Sequence, residues 1–165
     1  DHRDLHSFPT RRSSDLRMIA IVKCRGTDHN DRFVYDGIED CRAAHNMNFY
    51  NGPIPCAHGC LGFGTCTTVC PFDAIHMGPD GVPHVDVEKC TACGKCVAVC
   101  PRSIIQLTPK DAPISFHCSN PGKLKEVMDV CGLGCIACGK CVKACKFDAI
   151  RLENNLVVEI GRAHV

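Results

Sequence analysis

The sequence predicts a small α+β fold in which short helices and two-stranded hairpins gather around cysteine-lined sites instead of a large apolar core. Three observations predict it: 16 Cys among 165 residues, only 7 Phe and 2 Tyr with no Trp, and a gap-free internal repeat of the cysteine pattern. So few aromatic side chains make a thin core, and cysteine at this density replaces apolar packing with covalent or metal links. Disulfides in an oxidising compartment and metal thiolates in a reducing one are the competing chemistries.

Charge is nearly balanced, with 19 Lys and Arg against 18 Asp and Glu. No basic run interleaved with aromatics points to nucleic acid. No apolar stretch has the length of a membrane span, and the first residues lack the apolar core of a signal peptide. Both ends read as translated sequencing adaptor. Asp1–Leu16 matches one frame of a widely used short-read adaptor codon by codon, and Glu159–Val165 matches its counterpart. Segments 1–16 and 159–165 are therefore expected to be artefact that packs against nothing, leaving Arg17–Val158 as the natural segment of a longer gene.

The repeat organises the rest. Cys56 through Ile75 realigns with Cys131 through Ile150 at an offset of 75, matching four Cys, Gly59 with Gly134, and the tail Phe-Asp-Ala-Ile. A third copy, Cys90, Cys93, Cys96 and Cys100, realigns with Cys135, Cys138, Cys141 and Cys145. Each copy predicts a cysteine-bearing loop, a short helix and a short strand. The helices are expected at Thr65–Val69, Gly94–Val99 and Gly139–Ala144. Hairpins are expected from Ile75–Met77 with Pro83–Val85 around Pro79-Asp80-Gly81, and from Ile150–Glu153 with Leu156–Val158 around Asn154-Asn155. Arg17–Arg25 and Ile114–Cys118 read as strands, and Ile38–Met47 and Lys123–Val130 as helices. The domain reading is 17–52 as the remnant of a preceding domain, 53–112 as a complete unit and 113–158 as a partial second one.

Cys90-x2-Cys93-x2-Cys96-x3-Cys100-Pro101 has the spacing of the bacterial ferredoxin run. Three thiolates at two-residue gaps wrap one corner of a 4Fe–4S cube. The fourth, one helical turn on and followed by Pro, reaches a second cube. A structural zinc site would instead use two separated Cys-x2-Cys pairs. The fold is thus a ferredoxin-like two-cluster 4Fe–4S module with a partial second module. The first run is irregular, with Phe63 where the middle Cys of the trio belongs. Cys56 is the expected substitute, so one cluster takes Cys56, Cys60, Cys66 and Cys100, and the other Cys70, Cys90, Cys93 and Cys96. Cys56 as a buried structural thiol is the alternative. The third run offers Cys135, Cys138 and Cys141 for a third, incomplete cluster, with Cys145, followed by Lys146, as ligand to a missing fourth.

Cys24, Cys41, Cys118 and Cys131 fit no run. Buried small hydrophobes is the favoured reading, further ligation the alternative, with Cys131 the better placed because it is the repeat equivalent of Cys56. His58 lies inside the first run, where a surface or tuning role is favoured over ligation. No phosphate loop, catalytic triad or flavin fingerprint appears, so no catalytic residue and no substrate chemistry are expected.

Val22-Lys-Cys24-Arg-Gly26, Tyr35-Asp-Gly-Ile-Glu-Asp-Cys41-Arg-Ala-Ala44, Cys56-x2-Gly-Cys60-Leu-Gly62, Cys118-Ser-Asn and Gly134-Cys135-Ile follow one another in order. This series resembles the B-subunit family of the Rnf electron transport complex over nearly all of Arg17–Val158. The resemblance implies electron transfer through 4Fe–4S clusters, with Cys60, Cys66, Cys70, Cys90, Cys93, Cys96, Cys100, Cys135, Cys138, Cys141 and Cys145 as ligands. It implies other subunits of a membrane complex and soluble ferredoxin as partners, exchange with NAD coupled to Na⁺ or H⁺ movement, and a place on the inner, cytoplasmic face of the cell membrane. Members of that family add an N-terminal membrane helix and another cluster domain. The rival readings are a generic polyferredoxin subunit serving a soluble oxidoreductase, and a zinc- or disulfide-stapled binding module without a redox role.

Overall fold

The computed structural model describes residues 17–26, 35–47, 52–112 and 114–159. The expectations for 1–16, 160–165 and most of the loop after Gly26 lie outside these residues.

β1 (Met18–Val22) pairs antiparallel along its whole length with β4 (Ile105–Pro109), from Met18 opposite Pro109 to Val22 opposite Ile105. β1 is covered on both faces: Ile19, Ala20 and Val22 are buried, and Ile21 is half-buried. They share one core with Ala74, Ile75, Val82, Ile104 and Ile105, and with the thiols of Cys60, Cys66 and Cys90. β1, read from the sequence as part of a preceding segment, is thus a structural strand of the unit that follows it. Its partner β4 was not anticipated. Burying an isoleucine such as Ile75 (3% exposed) stabilises by about 1.5–3 kcal/mol, so this small core holds the unit only in concert with its cysteine-lined sites.

The hairpins sit where turn chemistry put them. β2 (Ile75–Met77) pairs with β3 (Pro83–Val85), and β5 (Ile150–Glu153) with β6 (Leu156–Glu159). Asn154 and Asn155 both adopt positive φ, as a tight two-residue turn requires. Glu159 closes β6 opposite Ile150, one residue beyond the expected end. Such pairing uses backbone groups, which any residue supplies. In both repeat copies the Phe-Asp-Ala-Ile tail does the same work: Asp73 and Asp148 each turn the chain at φ 50, burying Ala74-Ile75 and Ala149-Ile150.

The helices are short: α1 (Cys41–Met47) makes about two turns, and α2 (Thr65–Thr68), α3 (Lys95–Val99), α4 (Leu124–Met128) and α5 (Lys140–Ala144) are little more than single turns. Asp40 caps α1, its Oδ1 accepting from the amides of Arg42 at 2.7 Å and Ala43 at 3.0 Å. Those bonds, the one from Ala43 foremost, hold the Asp40 carboxyl below its ordinary pKa. Residues 114–118 do not form the expected strand. This segment and the serine after it bind the end of β1 through side chains instead. His117 Nδ1 donates to the Val22 carbonyl at 2.9 Å, and the one Ser119 hydroxyl proton is shared between the Lys23 carbonyl at 3.1 Å and the His58 carbonyl at 2.8 Å. Among the described residues, no helix is long and apolar enough to cross a membrane.

Candidate metal centres

The second and third runs coil in the same way. Ala92 and Gly94 take φ of 55° and 77°, and Ala137 and Gly139 take 53° and 69°. Two left-handed residues inside a five-residue stretch curl the loop back on itself. For alanine this costs about 1–3 kcal/mol, strain of the kind stored at functional sites. Gly94 and Gly139 then stand at the N-termini of α3 and α5, which carry the next cysteine, Cys96 or Cys141.

Among the described residues, three cavities are walled by cysteine. One is lined by Cys70, Cys90, Cys93 and Cys96, with Ala20, Ile75 and Val85 at its back, and encloses about 330 Å³ including open solvent at its mouth. Two sulfurs here accept backbone N–H bonds: Cys90 Sγ from Ala20 and Cys70 Sγ from Ala74, each at 3.4 Å. Such donors suit a thiolate and tune a bound cluster. Cys145, the repeat equivalent of Cys70, accepts the same bond from Ala149 at 3.4 Å.

The second cavity, about 390 Å³ by the same measure, is lined by Cys41, Cys60, Cys66 and Cys100. Cys100 comes from the end of α3, whose own Cys96 lies in the other cavity. Cys66 sits in α2, and Cys70, past its end, lines the other cavity. Each run therefore sends its last cysteine to the cavity of its partner.

Cys41 stands where Cys56 was expected, and Cys56 lines a different cavity. The reason is local. Gly59 N–H closes a tight turn onto the Cys56 carbonyl at 3.1 Å, and Asn120 Nδ2 reaches Cys56 Sγ at 3.5 Å on the side away from Cys60's cavity. Cys41 is brought in by two contacts. The rings of Tyr35 and Phe63 meet at 6.1 Å, so the Phe that replaces the missing cysteine docks the segment carrying Cys41. The Cys41 amide then donates to Thr65 Oγ1 at 2.7 Å, a buried bond at the start of α2. Run spacing counts only local cysteines, so it does not single out Cys41. The signal that was available is Phe63 itself, since a trio short of one thiol needs another from elsewhere in the chain.

Burial pushes the thiols of Cys60 and Cys66 up to about 12, and raises those of Cys56 and Cys96 as well. Left alone they are neutral, and iron binding must displace their protons. Arg102 lines the Cys60 cavity and donates from Nη1 to the Cys56 carbonyl at 3.4 Å. Burial lowers its pKa, while the nearby thiols of Cys56, Cys60 and Cys100 act the other way. No group of three or more His, Cys, Asp or Glu among the described residues converges as a single metal ion requires. Zinc thiolates sit about 2.3 Å from one point. Four thiols around one cavity are the donor set a 4Fe–4S cube takes.

The third cavity, again about 330 Å³, is lined by Cys24, Cys56, Cys118 and Cys131, with His58 and His117 at its edge. His58 is solvent-exposed, and its carbonyl accepts from Ser119 Oγ at 2.8 Å. The cysteines that no run claimed thus all line cavities: Cys41 the second, and Cys24, Cys118 and Cys131 the third.

Residues 56–104 match the model of the 4Fe-4S dicluster domain, and residues 134–151 that of the 4Fe-4S binding domain. The chain is 51% identical over 144 residues to the B subunit of the Na(+)-translocating ferredoxin:NAD(+) oxidoreductase complex of Acetobacterium woodii, covering 86% of this chain and 43% of the relative. It is 46% identical over 142 residues to the B subunit of the proton-translocating ferredoxin:NAD(+) oxidoreductase complex of Clostridium ljungdahlii, covering 85% and 49%. The B subunit of the ion-translocating oxidoreductase complex of Methanosarcina acetivorans is 41% identical over 116 residues, covering 69% and 43%. The chain spans less than half the length of each of these relatives. It carries 4Fe–4S ferredoxin-type domains and is homologous to the B subunits of Rnf-type ion-translocating oxidoreductase complexes.

Proposed function

We propose that the chain relays single electrons through 4Fe–4S clusters held in its cysteine-lined cavities, as part of the B subunit of an Rnf-type complex. In this reading Cys70, Cys90, Cys93 and Cys96 hold one cluster, and Cys41, Cys60, Cys66 and Cys100 hold another. Cys135, Cys138 and Cys141 hold three corners of a further cluster, and Cys145 serves a neighbouring one. Bound clusters supply one-electron redox chemistry; the protein supplies thiolates, N–H donors to sulfur and an apolar wall that controls solvent access. The observation that carries the reading is the exchange of Cys70 and Cys100 between the cavities of the two runs. A pair of independent structural zinc sites has no need of it. The shared helices also keep the two clusters adjacent, as a relay requires.

The ferredoxin:NAD(+) oxidoreductase names of two relatives support soluble ferredoxin as the electron donor or acceptor and other subunits of the complex as neighbours. The corresponding place for the parent protein is the cytoplasmic face of the cell membrane. Anaerobic reconstitution with iron and sulfide tests the reading. The chain should take up iron and acid-labile sulfide in equal amounts, and C93A and C41A should each lose about four of both. Zinc uptake without sulfide would contradict it.

A further inference from the structure

Cys24, Cys56, Cys118 and Cys131 belong to neither crossed quartet nor to the third run, yet they line one cavity.

The wall is built twice from equivalent parts. Cys56, His58 and Gly59 on one side correspond through the repeat to Cys131, Leu133 and Gly134 on the other. Both turns close alike, Gly59 N–H onto the Cys56 carbonyl at 3.1 Å and Gly134 N–H onto the Cys131 carbonyl at 3.4 Å. Both glycines sit under close neighbours: a Cβ would meet Ile54 Cδ1 at 2.5 Å at residue 59 and would come closer still to Val127 Cγ1 at residue 134. The residue after each glycine then donates its amide to the remaining thiol of its half: Cys60 to Cys24 Sγ at 3.4 Å, and Cys135 to Cys118 Sγ at 3.3 Å. Lys23-Cys24-Arg25 and His117-Cys118-Ser119 complete the two halves. One isolated buried thiol needs no explanation. Four thiols in a two-fold arrangement, three of them accepting N–H bonds counting that from Asn120 to Cys56, are a built site.

We propose that this quartet ligates an additional 4Fe–4S cluster, joining the first ferredoxin-type unit to the second. The proposal rests on the reading that the other quartets hold such clusters. On assembly, two ferric and two ferrous ions, four sulfides and four thiols give the cube with four Fe–S(Cys) bonds and release four protons. In service one electron enters and one leaves, with no proton required. The position follows from the same amides. Cys60 is a ligand of the first quartet and Cys135 of the third run, so the new site is hydrogen-bonded directly to both. It closes a row running from the Cys90 site through the Cys60 site to the third run.

The test is anaerobic reconstitution of the whole chain and of C118A, C131A, C93A and the pairs C118A/C131A and C118A/C93A, followed by iron and sulfide analysis. C118A and C131A should each lose about four irons, as C93A does. Their pair should lose no more than either alone, whereas C118A/C93A should lose twice as much. If C118A and C131A kept the parental iron while C93A lost one cluster, the proposal would fail and the quartet would be structural. If C93A also kept its iron, the underlying reading would fail with it. N120A keeps every ligand and guards against misfolding. It should leave iron unchanged and lower the midpoint potential of one cluster in an EPR-monitored titration. A set of potentials identical to the parent's would overturn the proposal.

Discussion

The amide of Cys60 donates to Cys24 Sγ at 3.4 Å, although the two cysteines line different cavities. One backbone group therefore ties two thiol-lined sites together, and Cys135 repeats the arrangement toward Cys118 at 3.3 Å. A residue whose own thiol is read as serving one site thus donates its amide to a thiol of the next, so a change at one should be felt at its neighbour.

Thr65 is the first residue to test. Its Oγ1 is the acceptor for the buried Cys41 amide. T65V removes the acceptor and leaves that amide unsatisfied, at a cost of about 1–3 kcal/mol. Iron release to a chelator should become faster for one cluster only, and T65S should restore the parental rate.

Phe63 occupies the usual middle cysteine position, and Cys41 is read as the replacement. C41A should lose about one cluster's iron. F63C in the C41A background should recover it, because the run then has ordinary ferredoxin spacing. Iron analysis that shows no recovery would mean that the loop at Phe63 cannot deliver a ligand.

Arg102 places a cation beside the Cys60 cavity. A nearby positive charge favours the more negative, reduced cluster. R102Q should therefore lower the midpoint potential of one cluster, by on the order of tens of millivolts at a protein-like dielectric. Potentiometric EPR measures this, with the other clusters as internal controls.

Gly134 lies against Val127, which is fully buried. G134A overpacks that contact and should destabilise the C-terminal unit by about 1–3 kcal/mol. V127A should relieve G134A in part, a coupling that a thermal-unfolding double-mutant cycle detects.

Much of this architecture was legible in the sequence where the signal is local. The breakers Pro79-Asp80-Gly81 and Asn154-Asn155 set both hairpins, and the cysteine spacing set the one-turn helices α2, α3 and α5. What escaped depends on distant partners. β4 is short and ends in Pro109, and it becomes a strand only because β1 lies beside it. Residues 114–118 have strand-like composition, but His117 and Ser119 satisfy β1's trailing carbonyls through side chains and leave no backbone ladder. Cys41 lines the cavity where Cys56 was expected for the same reason: which cysteines share a cavity is decided by which turns and helices pack together, and spacing along the chain records only the nearest. The repeat had already equated Cys56 with Cys131, the pairing that the third cavity uses.

The most direct measurement is anomalous diffraction at the iron edge from crystals of the anaerobically reconstituted chain. The account predicts iron clusters in the cavity walled by Cys70, Cys90, Cys93 and Cys96 and in that walled by Cys41, Cys60, Cys66 and Cys100, each as a compact group of about four irons. Iron bonded to Cys56 together with Cys60, Cys66 and Cys100, or single metal ions in place of clusters, would contradict it.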